Sequence, residues 1–259
     1  MLSIGLLLVS AAAQAVSSEA AWSWDNDDPG CSLEQHTDDG PLASVSRVPG
    51  QDATAVSFNV RTPRFWKGLY GNATVTLSTG ESFPATAQVY SIQNRQYELR
   101  AEVNGSAFLD ALSKSYTVTV ADPDFGKFPV RLRKLASAVA ALRSCENDRM
   151  RDWGIDVASY WALASRPRPI GHLVDLFSSD NYPTAAGMAG VQRNVIAKVE
   201  VGADGSVTAC NAPNNFPYPQ FVDSVCGVLR KSARFEPARD QNGKTVSAPY
   251  VVIVSFRLR

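Results

Sequence analysis

Several features are absent from this 259-residue sequence, and each absence removes a class of function. Neither charge is in excess: 25 Lys and Arg balance 25 Asp and Glu. A protein that coats nucleic acid needs a basic excess to displace counterions, so no nucleic-acid partner is expected. Only two histidines occur, His36 and His172, and no Cys-x-x-Cys spacing is present. A structural zinc site therefore has too few donors at workable spacing, and no metal or other cofactor is expected. There is no Gly-x-Ser-x-Gly elbow, no P-loop and no His-Glu-x-x-His run, which removes the hydrolases, NTPases and metalloproteases that those motifs mark. His172 with Asp175, and His36 with Asp38 and Asp39, read as solvated loop groups rather than parts of a catalytic or metal site. An enzyme is not expected.

What is present is enough for a folded protein. Hydrophobic residues make up 45% and charged residues 19% of the chain, which supports a buried core and one large or two modest domains. The neutral total hides a split. Residues 1–129 carry 8 basic and 14 acidic residues, a net −6, and residues 130–259 carry 17 and 11, a net +6. Asymmetry of that kind points to two units.

Between Leu2 and Ala13 the chain is apolar apart from Ser3, Gly5 and Ser10, and Ala13-Gln14-Ala15 supplies a small-x-small cleavage pattern. A dozen apolar residues make a helix of about 18 Å, against roughly 30 Å of hydrocarbon. Residues 1–15 therefore read as a secretory signal, and the mature chain is expected in the periplasm, touching a membrane only if the signal stays uncleaved. Export sets the reading of the cysteines. Cys31, Cys145, Cys210 and Cys226 are an even set, and in an oxidising compartment two disulfides are the default. Three pairings are open; Cys31–Cys145 with Cys210–Cys226 is the one that keeps each bridge inside one unit.

Residues 22–150 are β-rich. Val56, Phe58 and Val60 alternate with polar neighbours, as do Tyr97, Leu99, Ala101 and Val103. Similar segments fall over 73–77, 84–90, 116–120 and 128–132, divided by Gly, Pro and Asn turns. The aromatic run over 65–70 reads as packing over a strand. The spacing of Leu135, Val139, Leu142 and Cys145 then switches to helical and closes the unit. Residues 151–178 form a connection, with Arg166-Pro167-Arg168-Pro169 as an extended spacer and Trp153 and Trp161 docking parts of it. Residues 179–259 read as helix–β–β–helix–β, an α+β unit. Asp180 or Asn181 caps a short helix after Tyr182-Pro183 that ends near Gly190. A strand with Val195, Ala197, Val199 and Val201 on one face meets a Gly202–Gly205 turn. A helix follows over about 219–231, and a long apolar strand carries Tyr250, Val252, Val254, Phe256 and Leu258 on one face and Val251 and Ile253 on the other.

This second unit resembles the C-terminal domain of TonB-type energy transducers. The likeness rests on Tyr182-Pro183 with Ala186 and Gly190, the Asp204-Gly205 turn, Arg234-Phe235-Glu236-Pro237-Ala238, Gly243 and the apolar last strand, about 80 residues in the family's order. Two positions depart: Arg193 stands where Gly is common, and Asn214-Asn215-Phe216-Pro217 replaces the usual Ser-Ser-Gly. The N-terminal unit resembles periplasmic proteins of the invasion-associated locus B type, through its early and late cysteines and the segment Phe108-Leu109-Asp110-Ala111-Leu112. The TonB resemblance implies a three-stranded antiparallel sheet on helices, whose last strand adds the TonB box of an outer-membrane receptor as an extra strand. On this sequence that places the contact at Val246, Ser247, Ala248, Tyr250, Val251, Val252, Ile253 and Val254, with Tyr250, Val251 and Ile253 shaping side-chain pockets. A complete transducer also needs a charged-residue-bearing anchor and a long Pro-rich spacer, so the expected role is a periplasmic adaptor associated with TonB-dependent transport. The partner is then an outer-membrane receptor or another envelope protein. A homodimer that pairs two copies through the last strand is the alternative.

Overall fold

A computed structural model describes residues 22–25, 30–37, 40–61, 70–93, 96–122, 126–212 and 217–258. The expected signal over 1–15, most of the aromatic run over 65–70 and the departure at 214–216 lie outside the described residues.

The N-terminal half is one antiparallel sheet. Its strands are β1 (Trp22–Trp24), β2 (Cys31–Thr37), β3 (Gly40–Arg47), β4 (Thr54–Arg61), β5 (Tyr70–Leu77), β6 (Ser82–Gln93), β7 (Gln96–Val103), β8 (Thr117–Asp122) and β9 (Gly126–Arg131). Their order is β1-β2-β3-β4-β7-β6-β5-β8-β9. The β5–β6–β7 meander is thus inserted backwards, so that β4 pairs with β7 and β5 with β8. Alternation decides the faces: Tyr97, Leu99, Ala101 and Val103 are buried while Glu98, Arg100 and Glu102 are half-exposed. Helices α1 (Ser106–Ser113) and α2 (Leu135–Asp152) cover the apolar face. Phe108, Leu112, Leu135, Val139 and Leu142 complete that core. Cys31 at the start of β2 is bonded to Cys145 on α2.

Residues 151–178 are structured and docked. Helix α3 (Val157–Trp161) starts at Asp156, whose carboxylate accepts from the Ala158 and Ser159 amides. The hydroxyl and amide of Ser159 hold that carboxyl below the usual range. Strand β10 (Arg168–Pro169) pairs with β13 (Phe235–Glu236), so the extended Arg-Pro-Arg-Pro segment is held by a ladder. Arg166 caps the Trp161 ring with its centre 5.0 Å from the ring centroid, and its Nε donates to Asp52 at 3.0 Å. This pair links the basic half to the acidic half.

In the C-terminal part, helix α4 (Thr184–Met188) precedes β11 (Arg193–Val201) and β12 (Val207–Asn211), and α5 (Pro219–Ser232) follows. After β13 come β14 (Ala238–Arg239), β15 (Thr245–Val246) and β16 (Ala248–Phe256). The main sheet runs β12-β11-β16, antiparallel throughout. The N-terminus of α4 differs from the expectation. Asp180 and Asn181 lie in a 3-10 turn, Ser179–Asn181, capped reciprocally by Ser178 and Asn181, and Pro183 occupies the N-cap of α4 with no side-chain cap bond. The capping box satisfies the turn before the helix begins, so Asn181 is already used. Cys210 on β12 is bonded to Cys226 on α5. Phe221, Val225 and Leu229 of α5 pack on Val195, Ala197, Val199 and Val252.

The two halves meet in a third core. Met150, Trp153, Ile155, Tyr160 and Val251 are buried together, with Val48 and Ile196 against them. The face of the β11–β16 sheet that α5 leaves free is thus partly covered by the end of α2, by α3 and by the β3–β4 turn.

Candidate functional site

The last strand sits at one end of its sheet, and its hydrogen-bonding phase follows from three contacts. Glu200 directs its carbonyl toward Thr208, on the β12 side, and Val201 directs its carbonyl toward Ser247, on the β16 side. Val251, opposite Lys198, has its carbonyl taken by a group outside the sheet. Alternation then fixes the rest. The main-chain groups of Ala248, Tyr250, Val252, Val254 and Phe256 face β11. Those of Pro249, Val251, Ile253 and Ser255 face away from it, and Pro249 has no N–H to offer.

Not all of that edge is open. The β3–β4 turn reaches across, and Gln51 donates its side-chain amide to the Val251 carbonyl at 2.7 Å. Its position is enforced by a buried network. Arg47 donates to both Glu146 oxygens, at 3.2 and 3.1 Å, to Thr54 at 2.6 Å and to the Gln51 carbonyl at 2.7 Å. Glu146 also accepts the Gly50 amide at 3.2 Å, and Tyr160 donates its hydroxyl to the Gly50 carbonyl. Burial pushes the Tyr160 phenol well above its ordinary range, so it stays a donor. The remaining edge, from Ile253 to Ser255, lies between two grooves.

The larger groove, about 1030 Å³, is on the α5 side and is bounded by Leu173, Phe177, Tyr182, Met188, Val254 and Leu258. Of the seven large apolar side chains exposed among the described residues, Val174 (73%), Met188 (81%) and Leu258 (43%) rim it. Clustering of that kind marks an interaction surface, where scattered apolar residues do not. The smaller groove, about 400 Å³, lies between the halves and is lined by Asp25, Arg47, Arg100, Glu102, Asn194 and Arg257, with Ile253 and Ser255 on its β16 side.

The residues expected at the site divide into groups. Tyr250 and Val252 face α5 and are buried, and burial raises the Tyr250 phenol. Val251 is buried under the N-terminal half, so it shapes no pocket on an open face. Ile253 and Val254 are half-exposed and line the large groove. Val246 and Ser247 are not on the edge strand. Val246 pairs with Ala238, and the Ser247 hydroxyl is spent on Glu200 and the Val201 carbonyl. The motif residues are mostly structural. Phe235 packs on Tyr250 with ring centroids 5.1 Å apart, Ala238 is buried and Pro237 half-buried. Arg234 donates to the Ala233 carbonyl. Asp204 accepts from the Ser206 amide and hydroxyl, which hold its carboxyl below the usual range. Tyr182 and Pro183 do reach the site: both line the groove wall. The Tyr182 ring meets Phe221 and Phe256, and its hydroxyl donates to the Val191 carbonyl at 2.6 Å. Arg193, the departure before β11, stacks its guanidinium 4.6 Å from the Tyr218 ring and donates to the Tyr218 hydroxyl. His172 is exposed, and its carbonyl accepts from the Asp175 amide.

Leu173, Val174, Phe177 and Gln51 escape a reading of the sequence. The apolar run Leu173-Val174-x-Leu176-Phe177 inside an otherwise polar connection is a signal that it docks. Gln51 carries no such signal, because its role depends on a contact 200 residues away. Among the described residues no group of three or more His, Cys, Asp or Glu is placed to hold a metal, and no helix is long and apolar enough to cross a membrane.

No curated protein matches the chain at a significant level. Residues 178–258 match the family described as Gram-negative bacterial TonB protein C-terminal. That span runs from the turn before α4 through the whole β12-β11-β16 sheet. The C-terminal part of this chain is a member of the TonB C-terminal domain family.

Proposed function

We propose that this chain is a periplasmic TonB-like adaptor of the bacterial envelope, in which a signal at 1–15 and a β-rich unit at 22–150 precede a connection at 151–178 and the binding unit at 179–259. The binding unit takes up an extended peptide, such as the TonB box of an outer-membrane receptor, as an added strand along β16. The role is binding rather than catalysis, in keeping with a family of transducer and adaptor domains. One observation carries the reading: the outward main-chain groups of Ile253 and Ser255 stand at the end of the sheet beside an apolar groove. An open strand edge supplies hydrogen bonds, and pockets beside it supply side-chain selection.

Ile253→Pro tests this directly. Proline at an outward edge position removes a donor without touching the ladder to β11. A TonB-box peptide should bind the variant about tenfold or more weakly, a loss of about 1.4 kcal/mol or more, with the unfolding midpoint nearly unchanged. Equal affinity for both proteins contradicts strand addition at this edge. A mass that doubles with concentration, and that the proline variant returns to monomer, assigns the edge to self-pairing instead.

A further inference from the structure

The two grooves share the same stretch of strand: Ile253, Ser255 and Arg257 line both. A strand laid beside β16 puts residues opposite Val252, Val254 and Phe256 on the α5 face. Those opposite Ile253 and Ser255 point toward the N-terminal half, because directly opposed residues share a face. The first set meets the apolar groove under Leu173, Phe177 and Met188. The second meets the smaller groove with Arg100, Glu102 and Arg257. The two arginines are held in place: Arg100 donates to Ser46 at 3.3 Å and Arg257 to Asn194 at 2.7 Å. An added strand cannot run on past Ile253 toward Pro249, because Gln51 already occupies the Val251 carbonyl.

From this geometry we infer that the binding site is composite, its occupant being an amphipathic extended peptide that alternates apolar and polar residues. Gln51 of the N-terminal half acts as a stop that fixes its register on Ile253 and Ser255. The inference rests on the strand-addition reading above and adds to it the chemistry of the peptide and a specificity role for the N-terminal half.

The full chain, labelled with 15N, is titrated with two peptides of identical composition, each flanked by lysines for solubility. One alternates four valines with four threonines; the other places the valines in one block and the threonines in another. The alternating peptide should bind at least tenfold more tightly and protect the Ile253 and Ser255 amides from exchange while leaving Val251 unaffected. In Gln51→Ala, and in Gln51→Glu, whose carboxylate cannot donate to a carbonyl, protection should extend to the Val251 amide. Equal affinity for the two peptides, or an unchanged set of protected amides in both variants, overturns the composite site even if a TonB-box peptide still binds. Failure of the TonB-box peptide itself to bind is a separate result, which overturns strand addition.

Discussion

The side-chain amide of Gln51 donates to the main-chain carbonyl of Val251 at 2.7 Å, joining residues 200 positions apart. A glutamine amide there does what the N–H of a neighbouring strand would do. It satisfies an edge carbonyl and shortens the stretch left for another chain. The contact depends on the turn that presents Gln51, and that turn depends on a buried ion pair.

Glu146 and Arg47 are both almost fully buried, with side chains 4% and 3% exposed. Glu146→Gln keeps the volume but leaves the Arg47 charge uncompensated, so urea unfolding should show a loss of about 3–5 kcal/mol. The double variant Arg47→Met/Glu146→Leu should lose clearly less, because no charge remains to be buried alone. Equal losses would show that packing rather than charge dominates here.

Gly205 and Gly243 both sit at positive φ, +81° and +78°, but in different surroundings. A Cβ on Gly205 would lie 2.1 Å from the Phe235 carbonyl oxygen, whereas one on Gly243 would meet nothing within 4 Å. Gly243→Ala should cost only the conformational penalty, about 1 kcal/mol. Gly205→Ala must also push the hairpin off β13, whose Phe235 amide donates to the Gly205 carbonyl at 2.9 Å. Thermal unfolding should therefore rank Gly205→Ala well below Gly243→Ala. Matching midpoints would contradict the close approach.

The disulfides close loops of very different length, 114 and 16 residues apart in sequence. In the chain-entropy account, removing Cys31–Cys145 should cost about 5 kcal/mol and removing Cys210–Cys226 about 3 kcal/mol. Paired Cys→Ala variants measured by guanidinium unfolding give the two losses. The reverse order would mean that native-state strain, not loop entropy, governs them.

Legibility in the sequence followed the range of the interactions. Strands β4, β5, β6, β7, β8 and β9 were readable because one face is buried and the other wet, which stamps a period of two on the residues. Helix α5 and strand β16 were readable for the same reason, with Phe221, Val225 and Leu229 at helical spacing and Tyr250, Val252 and Val254 at alternate positions. Strands β2 and β3 were not, since buried Ser32, Gln35 and Ser46 interrupt the apolar pattern; their burial comes from packing that no local rule encodes. Helix α1 is only eight residues long, too short for periodicity to separate it from a strand. At the site, the alternation of Tyr250, Val252 and Val254 marks the last strand, Ala248–Phe256, but not its ends. The ladder is interrupted at Ser247, which separates β15 from β16, and Val246 pairs with Ala238 instead, a pairing set by tertiary register. The covering of Val251 by the β3–β4 turn was equally out of reach.

The most direct measurement of strand addition at β16 is amide exchange in the full chain with and without a saturating TonB-box peptide. Pairing at the edge should slow the Ile253 and Ser255 amides, which point away from β11, and leave the already bonded Val252 and Val254 amides nearly unchanged. A peptide that binds while Ile253 and Ser255 continue to exchange at the free rate contradicts the account.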